Sequence, residues 1–189
     1  MGAALGCPRA CTWIPPAIEQ DPEQFRQMTV DRWRQIGQIA AEYGVRLGLE
    51  WVGTPTLRTS GSEFVHTMDG LLEMEEEIGL DNVGLLVDSF HWYTAGHGAQ
   101  ELASVPAERI VHVHINDAPD RPRDEQIDQE RLLPGEGIID LEAFLKALES
   151  AGYDGFMGVE TFSEKLTAMP PEQAAKMTHD AARNVLDDF

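Results

Sequence analysis

The chain has 189 residues, enough for one domain with a real core, and its 42% hydrophobic content is ordinary for a protein that folds in water. Lys and Arg total 14 against 33 Asp and Glu, a formal net charge of −19. That balance repels phosphate, so it argues against a nucleic-acid or anionic-membrane surface, and solubility accounts for it well enough. No run approaches membrane-spanning length, and no basic segment followed by a long apolar stretch opens the chain, so the expected compartment is the cytoplasm. Cys7 and Cys11 form a C-x3-C pair with no further Cys or His beside it, which is weak as a metal site; buried, reduced thiols are expected.

Strand and helix signals alternate along the chain. Residues 9–14 have strand character and stop at Pro15-Pro16. A helix is expected from about Val30 to Tyr43, with Trp33, Ile36, Ile39, Ala40 and Tyr43 at helical spacing and Gly44 at its end. A strand closing at Glu50 follows. Ser62 is expected to cap a second helix, with Phe64, Val65, Met68, Leu71, Leu72 and Ile78 as its apolar stripe and Gly79 as its stop. Glu75-Glu76-Glu77 in that helix suggests a solvated face. After a strand closing at Asp88 come a short helix near 99–104, a strand closing at His114, and a long polar loop, roughly 117–137. Asp140 then caps a helix ending at Gly152, a last strand closes at Glu160, and Pro170-Pro171 opens a terminal helix.

Near-continuous apolar strands alternating with helices imply a parallel sheet covered by helices. Five strand–helix units are counted. A closed (β/α)8 TIM barrel has eight and runs to about 250 residues, so the expectation is an α/β fold of TIM-barrel type, partial, with residues 1–189 as a single domain. In that frame either the chain is truncated, or two copies complete each other as a homo-oligomer, or the remaining part is supplied from elsewhere.

Glu50, Asp88, His114 and Glu160 each close a short apolar run. Alone, a strand-terminal acid is more often a turn or cap residue. Four together at strand C-termini, the chemical face of parallel barrels, point to a divalent-metal site. Oxygen-rich ligands with one nitrogen suit Mn, Mg, Co or Zn. Gly48 and Gly158 precede Glu50 and Glu160 by two positions, on the same strand face, and leave room beneath a carboxylate or simply ease packing. His112 shares the face of His114 but lies deeper, as a core histidine. Trp51, Phe90 and Trp92 flank the ligands, as pocket wall or as core. Asn116 and Asp117 orient His114 or the loop, or merely form a turn.

The segments Leu49-Glu50-Trp51-Val52-Gly53, Asp81 to His91, His112 to Asp117 and Arg131 to Leu141 resemble the xylose-isomerase-like sugar isomerase and epimerase barrels, and within them the inosose (2-keto-myo-inositol) isomerases. The resemblance spans nearly the whole chain, with D-S-F-H and R-x-x-P-G-x-G as its more specific segments. It implies that Glu50, Asp88, His114 and Glu160 are the metal ligands, that Glu50 and Glu160 also move the proton, and that His91 and Arg131 contact a sugar or keto-polyol substrate. Bottom-up, His91 sits beside Asp88 at one strand end, and the Pro-Gly-x-Gly turn can fold Arg131 over the barrel mouth.

The activity so implied is a metal-dependent isomerisation or epimerisation of a keto-polyol through a metal-stabilised enediolate. The same first step also serves a dehydratase, of inosose or 3-dehydroshikimate. A non-catalytic metal-binding half-barrel is a further reading. The DNA-repair endonuclease branch of the superfamily is disfavoured by the acidic charge.

Overall fold

The computed structural model describes residues 2–187 and Phe189. Its centre is a five-stranded, wholly parallel sheet made of β1 (Arg9–Ile14), β3 (Arg46–Trp51), β5 (Val83–Asp88), β6 (Ile110–Ile115) and β7 (Met157–Val159), in the order β1-β3-β5-β6-β7. This is the α/β half-barrel that the alternation implies. A separate antiparallel pair, β2 (Ala17–Ile18) and β4 (Ser62–Glu63), was not expected. It takes up Ser62, so the second helix, α2 (Met68–Ile78), starts later and is capped by Thr67, whose side chain accepts from Gly70 N.

The first helix, α1 (Pro22–Glu42), starts eight residues earlier than its apolar stripe suggests, because Asp21 caps it by accepting from Gln24 N and Pro22 fits the first turn. Its expected stripe is only partly buried. Val30 and Gly37 are buried and Trp33 and Ala40 half-buried, whereas Ile36, Ile39 and Tyr43 are exposed. Gly37 sets this rotation: a Cβ there would stand 2.7 Å from Leu80 Cδ1 and 2.9 Å from Val83 Cγ2. The glutamate run also divides. Glu76 and Glu77 are solvated, but Glu75 is buried and paired with Arg109.

Along each strand the side chains alternate faces. Leu47, Leu49 and Trp51, then Val83, Leu85 and Val87, then Val113 and Ile115, join the core beneath the helices. Glu50, Asp88 and His114 fall on the opposite, inner face. A bulge in β6 opposite Leu85 and Leu86 resets the register so that His112 pairs with Leu86 and His114 with Asp88. Trp51, Phe90 and Trp92 are core, packed under the helices, rather than pocket wall.

β5 runs straight into a short helix that the sequence did not announce, α3 (Ser89–Ala95), before α4 (Ala99–Ala103). Its residues follow the strand with no turn signal between. The last strand is shorter than expected. Phe156 lies outside it and is 78% exposed, and Glu160 follows it directly. The helices α5 (Leu141–Ala151) and α7 (Pro171–Asp187) stand where predicted, with a single turn, α6 (Glu164–Thr167), between β7 and α7. Cys7 and Cys11 are exposed rather than buried: Cys7 precedes β1, and Cys11 lies on the open inner face of the sheet, where both line a cavity with His112 and Phe156.

The long loop is ordered by one carboxylate. Asp117 bridges to Leu132 through paired backbone bonds of 2.9 and 2.8 Å, and its side chain accepts from Ala118, Gly135, Gly137 and Ile139 N at 2.8–3.1 Å. Gly137 has no alternative there, because a Cβ would stand 2.1 Å from Ala118 O. This knot holds Arg131 above the sheet. Asp117→Ala is expected to lower unfolding stability by about 3 kcal/mol or more, as four amides lose a charged acceptor. Urea denaturation, with limited proteolysis within 118–139, measures it; a native midpoint would contradict the account.

Candidate metal centre

Four elements bring Glu50, Asp88, His114 and Glu160 together at the C-terminal rim. One ligand atom from each lies within 4.8 Å of all the others. His114 Nδ1 stands 3.9 Å from Glu50 Oε1, 3.8 Å from Asp88 Oδ2 and 3.5 Å from Glu160 Oε2. Glu50 and Glu160 approach from opposite sides, because β5 and β6 separate their strands.

Asp88 is both the end of β5 and the N-cap of α3. Its Oδ1 accepts from Phe90 N at 2.8 Å and His91 N at 3.1 Å, while Oδ2 accepts from Asn116 Nδ2 at 2.8 Å and Arg131 Nη1 at 3.0 Å. Asn116 therefore orients Asp88, not His114. It is itself held by Ser89 Oγ at 2.9 Å and also donates to Glu160 O at 3.2 Å, which ties the ends of β5 and β7 to β6.

Gly158 lies against the two histidines: a Cβ there would make ordinary contact, 3.4 Å from His112 Nε2 and 3.5 Å from His114 Cδ2, so space alone does not require glycine at this position. His112 is half-buried, edge-on to His114 at 5.2 Å, and lines a separate open cavity instead of the core. Beneath Glu50, Gly48 yields to Cys11 Sγ, which would stand 2.9 Å from an added Cβ.

Two features test whether this donor set fits a cation. Glu50 Oε1 and His114 Nδ1 are buried with no hydrogen-bond partner, a costly arrangement unless something positive meets them. Burial and the charge of Asp88 push the Glu50 carboxyl well above the usual range. Glu160 moves the other way. The approach of His114, electrostatic rather than a formed bond at 3.5 Å, outweighs burial and with Arg131 lowers it to about 2. Three carboxylates and one imidazole suit a hard or borderline divalent ion.

Arg131 caps this group. Its Nη1 reaches Asp88 Oδ2 and Glu160 Oε2 (2.8 Å), its Nη2 reaches Asp128 Oδ1 at 2.7 Å, and the guanidinium lies between the Phe90 and Phe162 rings. Burial opposes its charge, but Asp88 and Asp128 more than restore it. His91 is only 1% exposed. Its Nε2 accepts from Arg131 Nη2 at 2.9 Å, which puts the ring proton on Nδ1, facing Thr54 Oγ1 at 3.4 Å, and burial lowers its pKa to about 4. A cavity of about 430 Å³ opens beside these groups, lined by Glu50, His91, Asp128, Arg131 and Glu160 and walled by Trp13, Pro15, Val52 and Phe162 among others. Asp128, Thr54 and Phe162 were not singled out from sequence; Asp128 sits in the charged run Asp124 to Arg131, which has the look of a solvated loop.

The sequence matches the Xylose isomerase-like TIM barrel family over residues 1–185. The chain belongs to that family. It is 35% identical over 170 residues to the inosose isomerase of Bacillus subtilis (strain 168), an alignment covering 87% of this chain and 59% of that protein. A xylose isomerase domain protein from Alicyclobacillus acidocaldarius superposes with a TM-score of 0.89 at 35% identity, over 97% of this chain and 67% of that one. The IOLI protein, solved with a zinc atom bound, superposes at 0.86 with 28% identity, over 100% of this chain and 66% of that one. Other relatives are an inosose dehydratase at 31% identity and a 3-dehydroshikimate dehydratase at 30%. The chain thus spans a little over half the length of the curated inosose isomerases it matches.

Divalent Zn, Mn or Co is expected to raise the melting temperature, reversibly with chelator, and at a hundredfold excess over Kd to add about 2.7 kcal/mol. His114→Ala is expected to abolish that gain, as differential scanning fluorimetry will show; a gain that survives the substitution places the ion elsewhere.

Proposed function

We propose that this chain carries the metal and proton-transfer centre of an isomerase or epimerase acting on an inosose-like keto-polyol, with residues 1–189 forming one xylose-isomerase-like domain. The observation that carries the reading is the pair of bare, buried ligand atoms, Glu50 Oε1 and His114 Nδ1, facing two further carboxylates at the edge of a sugar-sized cavity. The similarity to inosose isomerases supports the choice of substrate class.

In this reading Glu50, Asp88, His114 and Glu160 hold a divalent ion. When bound, the ion supplies Lewis-acid polarisation of the substrate carbonyl. Asn116 and the first turn of α3 fix Asp88 in place. Glu160 and Glu50 flank the substrate from opposite sides. Of the two, Glu160 is the one we assign to take the proton from the carbon beside the carbonyl, since it stands at the cavity edge. The opposed Glu50 carboxylate is placed on the other side of the substrate to return one. Such positioned proton transfer contributes on the order of 10² to 10⁴ in rate. Arg131, expected from sequence to hold substrate oxygens, instead has its guanidinium taken up by Asp88, Asp128 and Glu160, with neutral His91 as a further acceptor, and so positions the carboxylates that line the cavity.

The test is to incubate zinc- or manganese-loaded protein with 2-keto-myo-inositol in deuterated water and follow it by NMR. Deuterium uptake beside the carbonyl, with carbonyl migration or epimerisation, is the expected result. Loss of water instead would assign the chain to the dehydratase reaction. Glu160→Gln is expected to reduce exchange at least a hundredfold while its circular dichroism stays native; unchanged exchange would remove Glu160 from the mechanism.

A further inference from the structure

We propose that Asp128 is the substrate-selecting group of this cavity: its cavity-facing carboxylate oxygen accepts a hydroxyl hydrogen from an uncharged polyol and turns acidic substrates away. The inference rests on the keto-polyol reading above and deepens it.

Asp128 divides its two oxygens. Oδ1 takes all of its protein contacts, accepting from Arg131 Nη2 at 2.7 Å and Nε at 3.3 Å, with His91 Nε2 at 3.7 Å. Among the described residues no donor reaches Oδ2, yet the residue is 9% exposed and lines the cavity. Holding Arg131 therefore accounts for one oxygen only. The other has no protein donor and is reached from the cavity, so it is an anionic acceptor open to a ligand, and a hydroxyl on a polyol ring supplies the hydrogen.

The charge around the cavity points the same way. Arg131 is the one cation among the described lining residues, and Asp88, Asp128 and Glu160 already engage it. Four carboxylates face a single guanidinium. A carboxylate-bearing substrate meets like charge at Asp128 and an Arg131 guanidinium already engaged, while a neutral keto-polyol meets an acceptor.

Asp128→Asn is the discriminating substitution. Its amide oxygen can still accept from Arg131, while the cavity-facing atom changes from a charged acceptor to a neutral donor. Zinc-loaded native and D128N proteins are titrated calorimetrically with 2-keto-myo-inositol and with 3-dehydroshikimate, whose ring bears a carboxylate. Zinc affinity is measured alongside by chelator competition. Native protein is expected to bind the neutral ligand at least tenfold more tightly than the acid. D128N is expected to lose about tenfold for the neutral ligand and to narrow that preference, with zinc affinity within twofold of native. The proposal is overturned if D128N binds the neutral ligand as tightly as native protein does. It is equally overturned if the native protein shows no preference or binds neither ligand, or if zinc affinity falls in step with ligand affinity, which would make Asp128 part of the metal support. Asp128-dependent binding without solvent deuterium exchange would leave this inference standing and defeat the isomerase reading; exchange with Asp128-independent binding would do the reverse.

Discussion

Three carboxylates crowded against one imidazole at a largely buried rim form the arrangement around which the rest of this structure is organised. Like charges at these separations repel, and burial strengthens the repulsion by removing water. The protein answers in layers. Glu50 is biased toward its neutral form and Glu160 toward its charged one, and the Arg131 guanidinium sits against the two acids nearest the loop. What no side chain supplies is a partner for Glu50 Oε1 and His114 Nδ1. A cation held among the four ligand atoms, which lie within 4.8 Å of one another, would meet both.

That arrangement depends on elements far from the rim. Asp117 gathers the amides of the long loop, and the loop delivers Arg131 and Asp128 to the cavity. Asn116, one residue earlier, braces Asp88 and the end of β7. A single dipeptide after β6 thus serves two structures, the loop and the ligand set. The sheet enforces the rest: the β6 bulge places His114 opposite Asp88, and the inner-face alternation of β3 places Glu50 within reach.

Much of the fold was legible because apolar runs and glycine stops are local signals. The five parallel strands and the helices ending at Gly79 and Gly152 follow from them directly. The four rim residues were legible because each ends such a run. What escaped depends on distant partners. α3 lacks a turn signal because its cap is Asp88, already counted as a strand residue. The rotation of α1, which exposes Ile36, Ile39 and Tyr43, is set by how closely Gly37 meets Leu80 and Val83. The burial of Glu75 is set by Arg109, 34 positions away. Asp128 carries no pattern of its own; only the folded loop turns it from a member of a charged run into the wall of a cavity.

The divided carboxylate of Asp88 has a consequence for how this family is dissected. One oxygen is spent starting a helix and the other faces the cluster, so the residue belongs at once to the fold and to the proposed metal site. Loss-of-function scores at this position will mix the two contributions, and a scan that sorts residues into structural and chemical bins will misfile it. Where a strand end doubles as a helix start, architecture and reactivity share one side chain and cannot evolve independently.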